Sequence, residues 1–256
     1  MKAIILAAFG TRMLPITKTI PKELLPVWNK PVIQYSVEAL VEAINDIIIV
    51  TSQKTALEDY FDKNYELEEL LLKKRMELLN MVNKPKNMAN YCFVKQKEQL
   101  TGHAVLQVEK WLSDDFFIVV YGDAIYPPDV FVELLNKFSI SKSPFLVVHQ
   151  VPKSDVYKYV VKILGENIID IVEKPNVEDA PSDLISSIFL LPSSIFSFLK
   201  ETKPDQKSGE IYLPDAIKKL IETTDVGFLK VRPFWDVSPD ALLDANVYFS
   251  KNGKLF

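Results

Sequence analysis

The chain has 256 residues, 48% of them hydrophobic and 25% charged, with a net charge of −4. That size and composition suit one large α/β domain with a well-buried core, and the mild acidity excludes a global basic field for nucleic acid. No run is long and apolar enough to cross a bilayer, and the single cysteine, Cys92, excludes an internal disulfide and fits a reducing, cytoplasmic setting.

The first apolar run, residues 4–8, has the length of a buried strand. It flows into a loop and not into a cleavage site, so its likeness to a signal peptide is superficial. The loop turns at Gly10, Thr11 and Arg12 and is punctuated by Pro15, Pro21 and Pro26. A strand that empties into such a turn can aim backbone N–H groups at anionic oxygens, and Arg12 can fork onto two of them. Lys22 adds a mobile point charge.

Residues 31–43 carry apolar side chains at helical spacing, and residues 46–51 form a second apolar run. Strand, helix, strand is the βαβ pattern of a parallel sheet. Helices are expected to start at residue 55 and over residues 65–74, the latter with acids early and bases late, as the helix dipole favours. A third strand is expected over residues 91–94, with Cys92 as a buried structural thiol. The clearest buried strand covers residues 116–121 and runs into Gly122 and Asp123. A carboxylate at the C-terminal end of such a strand sits where ligands bind in open parallel sheets; the plainer role is a turn cap.

Strand patterns recur at residues 145–148, at 156–163 and 168–172 around the turn at Gly165, at 186–191 and at 228–231. Residues 245–249 read as helical. The chain contains no Cys/His cluster of zinc spacing, and its two histidines, His103 and His149, are far apart in sequence. Only 7 glycines are present, few against an average near 7%.

The whole string is more specific than its parts. Ala7, Ala8, Gly10, Thr11, Arg12, Pro15, Thr17, Pro21, Lys22 and Pro26 follow the signature A-A-G-x-G-T-R-x-x-P-x-T-x-x-x-P-K-x-x-x-P, with the loop one residue short at Phe9. The chain thereby resembles the sugar-1-phosphate nucleotidylyltransferases, nearest their bacterial and archaeal uridylyltransferase branch. The motifs fall in the family's order over nearly the whole chain, including the Tyr65-Glu66-Leu67-Glu68 insertion.

The resemblance implies a single Rossmann-like three-layer αβα domain with a mixed, mainly parallel central sheet. Residues of about 1–125 would bind nucleotide and those of about 126–256 the sugar. It implies transfer of a uridylyl group from UTP to a sugar 1-phosphate, glucose 1-phosphate first, by a homodimer or homotetramer. Neither nucleic acid nor membrane is an expected partner.

Carried over by position, Arg12 and Lys22 would act on the phosphates. Ala7, Ala8, Gly10, Thr11, Gln96 and Gly102 would bind the nucleotide, with Gln96 and Gly102 at the uracil edge. Asp123 and Asp236, the latter in Trp235-Asp236-Val237-Ser238, would hold Mg²⁺. Glu173 and Lys174 of Glu173-Lys174-Pro175 would bind the sugar phosphate.

The chain departs from the pattern at several glycines: Phe9 in the loop, Tyr159-Val160 for a Tyr-Gly, Ser186-Ser187 for a Gly at the sugar, and Ser238 after Asp236. Each adds a Cβ where backbone would approach ligand. Two alternatives therefore stand beside the active uridylyltransferase. One is a weak or inactive paralogue that binds ligand or serves as a regulatory subunit; the other is a transferase with a changed sugar or base.

Overall fold

The computed structural model describes residues 1–252 except 8–9, 52–54, 74, 97–100, 153–158, 174, 206–208, 210, 233–234 and 237, and of Asp236 the backbone alone. Ala8 and Lys174 therefore lie outside the described residues.

In chain order, the N-terminal half comprises β1 (Ala3–Leu6), the hairpin β2 (Pro26–Val27) and β3 (Lys30–Pro31), α1 (Val32–Leu40) and β4 (Asp46–Thr51). It continues with α2 (Ala56–Phe61), α3 (Tyr65–Leu72), α4 (Met76–Asn87), β5 (Asn90–Lys95), α5 (Thr101–Gln107), β6 (Phe116–Tyr121) and β7 (Ala124–Ile125). The rest comprises α6 (Val130–Ser141), β8 (Phe145–Gln150), β9 (Tyr159–Leu164), β10 (Asn167–Glu173) and β11 (Leu184–Pro192). After these come α7 (Ile195–Glu201), α8 (Leu213–Ile221), β12 (Val226–Lys230), β13 (Trp235–Asp236) and α9 (Pro239–Asn252).

Among the described residues the main sheet has nine strands in the order β5-β4-β1-β6-β11-β8-β12-β10-β9. The first four are mutually parallel, with Ile5 opposite both Ile49 and Val120. Strand β11 then runs antiparallel to β6 and β8, and β12 returns parallel to β8. All four residues of β1 are buried, because helices cover both faces and a central strand need not alternate. One face carries Phe117, Val119 and Phe189 under α5, α7 and α8; the other carries Ile118, Val120 and Leu190 under α1 and α6.

Helix α8 shows why local sequence suffices in places. Leu213, Ala216, Ile217 and Leu220 form one apolar stripe, Pro214 opens the first turn, and Lys218 and Lys219 close the last. Helix α3 is capped by Asn64, whose side chain accepts from Leu67 N at 3.1 Å. Helix α4 was not expected from sequence. The helix expected at residue 31 begins at Val32 and ends at Leu40, and the expected C-terminal helix is longer, starting at Pro239. Cys92 lies on the edge strand β5 and is only half-buried, a correction to the buried thiol expected. No helix among the described residues is long and apolar enough to cross a membrane.

Candidate active site

The parallel strands deliver their C-terminal ends to one edge of the sheet, and the chain's charged motifs gather there. After β1 the chain turns at Gly10, whose φ of 69° is left-handed and opens a 3₁₀ turn over Thr11–Met13. Thr17 Oγ1 donates to the Gly10 carbonyl at 2.7 Å and fastens the loop to its own start. A Cβ on Gly10 would stand 3.1 Å from Thr17 Cγ2 and 3.2 Å from Lys22 Cβ. Glycine is thus demanded both by φ and by the close approach of Lys22. Thr11 and Arg12 are exposed beside the turn, and Ala7 is buried at its base.

Lys22 opens a further 3₁₀ turn, after Pro21, and reaches across to Asp123, with which it forms a buried ion pair. The two side chains are 11% and 4% exposed. Burial works against the Lys22 ammonium. Asp123 and Glu23 nevertheless outweigh it and hold its pKa above the ordinary lysine value, while nearby Arg12 pulls the other way. Asp123 follows Gly122, whose N–H bonds the Leu6 carbonyl at 2.9 Å and so extends the β1–β6 pairing to the cleft. A Cβ on Gly122 would meet Glu23 Cγ at 3.2 Å. Glu23 itself is fully buried.

Asp236 arrives from the other end of the chain. In the short antiparallel ladder of β7 and β13 its backbone stands opposite Ala124, the residue after Asp123. Helix α9 anchors this ladder. Trp235 packs on Tyr248 and Phe249 with ring centroids 4.8 and 5.9 Å away, and Phe249 is buried with Ile125. The same helix secures the β2–β3 hairpin, where Asn246 accepts from Trp28 N and donates to the Pro26 carbonyl.

Gln96 follows β5 at the same sheet edge, 5% exposed, with its N–H on the Thr51 carbonyl at 2.7 Å. Gly102 is packed closely against the segment before α8. Its N–H bonds the Ile211 carbonyl at 3.0 Å, and a Cβ there would fall 2.4 Å from that oxygen. Packing of α5 on the segment before α8 thus itself demands a residue without a Cβ here.

Glu173 ends β10 opposite Tyr159, the first residue of β9. The Tyr159 hydroxyl lies 2.7 Å from that of Tyr121, two residues before Asp123. Burial, with Tyr159 and Glu173 adding to it, raises the Tyr121 pKa well above its usual value. Burial and Glu173 do the same for Tyr159, so both phenols are protonated at neutral pH. Sequence reasoning missed Tyr121, although its phase with Phe117 and Val119 puts all three on one face of β6.

The site therefore joins Gly10, Lys22 and Asp123 directly, with Arg12 close enough to act on Lys22. It brings the Asp236 backbone beside them, and Glu173 approaches from the β9–β10 hairpin.

This sheet edge thus gathers a glycine turn, two basic side chains, Asp123 and the backbone of Asp236. The chain belongs to the nucleotidyl transferase family, whose model matches residues 2–251. Among curated relatives, the UTP–glucose-1-phosphate uridylyltransferase of Bacillus subtilis is 41% identical over 235 residues, covering 86% of this chain and 80% of its own. A Methanocaldococcus jannaschii protein, provisionally named for that activity, is 44% identical over 238 residues, covering 88% and 83%. A crystal structure of UDP-glucose pyrophosphorylase complexed with UDP-glucose superposes with a TM-score of 0.84 at 33% identity, covering 98% of both chains.

Proposed function

We propose that this chain transfers the uridylyl group of UTP to glucose 1-phosphate, giving UDP-glucose and pyrophosphate. The observation that carries the proposal is the meeting of Lys22 with Asp123 beside the Gly10 turn, one ladder position from Asp236. Relatives of 40% identity and more bear the uridylyltransferase name, and one similar structure is described as UTP-bound.

The transfer requires a phosphate oxygen of the sugar phosphate to attack the α-phosphorus of UTP, while the bond to the β-phosphate oxygen breaks and pyrophosphate leaves. Little covalent work falls to the protein, which must align the partners and offset charge. Thr11 and the N–H groups of the 3₁₀ turn face the phosphate chain, and Arg12 forks onto its distal oxygens. Lys22 exchanges the Asp123 carboxylate for phosphate oxygens and meets the charge that grows on the leaving group. Gln96 offers the uracil edge an amide that both donates and accepts. Glu173 accepts from sugar hydroxyls, and Lys174 offsets the sugar phosphate.

Asp123 and Asp236 are hard oxygen donors from neighbouring backbone positions, and Asp123 already lies against a cation, Lys22, so the pair fits a divalent ion of the Mg²⁺ type. When bound, that ion neutralises the triphosphate and polarises the phosphorus under attack.

The exposed apolar side chains of α3 and α4, with Tyr65 74%, Leu70 60% and Met81 65% exposed, support assembly into a homodimer or homotetramer. The lone Cys92 supports a cytoplasmic setting.

The test is incubation with UTP, glucose 1-phosphate and Mg²⁺ and chromatography of the products. UDP-glucose is the expected product. Intact UTP with every common sugar phosphate, from a folded protein, overturns the proposal.

A further inference from the structure

Helix α1 reaches the β7–β13 ladder through two consecutive residues. Ser36 is fully buried, and its hydroxyl donates to the Ala124 carbonyl at 2.6 Å, across 88 positions of chain. Tyr35 donates to the Val27 carbonyl at 3.0 Å, and its ring lies 4.9 Å from that of Phe249 in α9, centroid to centroid. Phe249 in turn packs on Trp235, the residue before Asp236. One helix therefore braces β7 directly and β13 through α9. The helix is a firm base: Ile33, Val37 and Leu40 are fully buried in the cluster that holds Ile5 and Val120 of the central strands.

The ladder needs such a brace, because two residues on each side cannot hold a register by themselves. Asp123 sits between two backbone pins. On one side the Gly122 N–H bonds the Leu6 carbonyl at 2.9 Å; on the other the Ala124 carbonyl receives Ser36. Without the second pin, the glycine before Asp123 leaves the backbone there free to turn. Local structure gives no reason for a serine at this place. Serine is a poorer helix former than alanine, and in mid-helix it ordinarily bonds a carbonyl of its own preceding turn. A hydroxyl among Ile33, Val37 and Leu40 is also unfavourable unless bonded, and its bond here goes to the residue after Asp123.

We infer that Ser36 is a positioning residue: by holding the Ala124 carbonyl it fixes the backbone of Asp123 against that of Asp236, and so sets how well the two aspartates take up a divalent ion with the triphosphate. The inference rests on the metal reading above and adds the group that keeps the two backbones in register. Mg²⁺ demands near-ideal octahedral geometry, so a small slip between the strands that carry its donors weakens it disproportionately.

The experiment measures UTP binding by calorimetry, with excess Mg²⁺ and with EDTA, for the wild type, Ser36→Ala, Ser36→Thr and Val37→Ala. Ser36→Cys, whose thiol is a weak donor, takes the place of Ser36→Ala if thermal unfolding shows the latter to be misfolded. The wild type is expected to bind UTP about tenfold or more tighter with Mg²⁺. Ser36→Ala is expected to lose about fivefold or more of that gain, with its affinity in EDTA within about twofold of wild type. Ser36→Thr keeps the hydroxyl and should keep the gain. Val37→Ala opens a cavity in the same helix and should lower the unfolding midpoint while keeping the gain. A Ser36→Ala protein that keeps the gain, or that loses affinity equally in both conditions, overturns the inference. So does a Ser36→Thr or Val37→Ala protein that loses as much of the gain as Ser36→Ala, since packing alone then explains the loss. A wild type that binds UTP equally with and without Mg²⁺ overturns the metal reading and the inference with it, and leaves the nucleotide reading standing; one that does not bind UTP overturns all three.

Discussion

Lys22 and Asp123, 101 residues apart in the chain, form a buried ion pair at the end of the central parallel strands. Removing one partner of such a pair leaves a buried charge unmatched, which costs about 3–5 kcal/mol. Lys22→Met and Asp123→Asn should each lower the urea midpoint, and the double variant should be more stable than the sum of the two losses implies. Independent, additive losses would show that the pair does not couple the phosphate loop to β6. Asp123→Asn should also lower kcat by roughly 10²–10³, as loss of a charge-organising group does.

Gly10 is tied to Lys22 by geometry. Gly10→Ala forces a Cβ into a left-handed backbone and against Thr17 and Lys22. The expected loss is about 1–2 kcal/mol, with a higher KM for UTP because Lys22 must move. A variant with unchanged KM and unfolding midpoint would contradict the close approach.

Gly102 separates a packing role from a binding role. Its added methyl would meet the Ile211 carbonyl at 2.4 Å, so Gly102→Ala should destabilise the fold by about 1–3 kcal/mol. Thermal unfolding checks this. A stable Gly102→Ala protein whose only defect is a raised KM for UTP would return the glycine to the uracil.

Glu38 gives a pH test away from the chemistry. Burial would raise its pKa, but hydrogen bonds from Lys30, Lys84 and Gln34 bring it below the usual value of 4.5. The ionised side chain therefore contributes stability above its unfolded pKa, and that contribution fades as pH falls through the lower folded value. Glu38→Gln should be less stable than wild type at pH 7, with the gap closing as the carboxylate is protonated in acid. Unfolding curves at pH 7 and in acid decide it, and a constant gap would contradict the account.

What the sequence made legible was what lies in single runs. The strands at Ile4, Ile48 and Val119 are short and continuously apolar because both sheet faces are covered, and the Gly10 turn and Asp123 follow directly from where such strands end. Pairings between distant segments were hidden. The β7–β13 ladder is two residues long on each side, too short for any period. The neighbour of Gly102 is Ile211, 109 positions away, so the reason for that glycine lies in no local pattern. Helix α4 has no clean apolar stripe, since Met76 and Met81 are exposed and Pro85 interrupts it. The phenols of Tyr121 and Tyr159 meet only because β9 crosses beside the end of β11.

The most direct measurement is Mg²⁺-dependent pyrophosphate release from UTP and glucose 1-phosphate by the wild type, Asp123→Asn and Asp236→Asn side by side. The account predicts release by the wild type that requires Mg²⁺ and falls by roughly 10²-fold or more in each variant. Wild-type release untouched by both substitutions would contradict it.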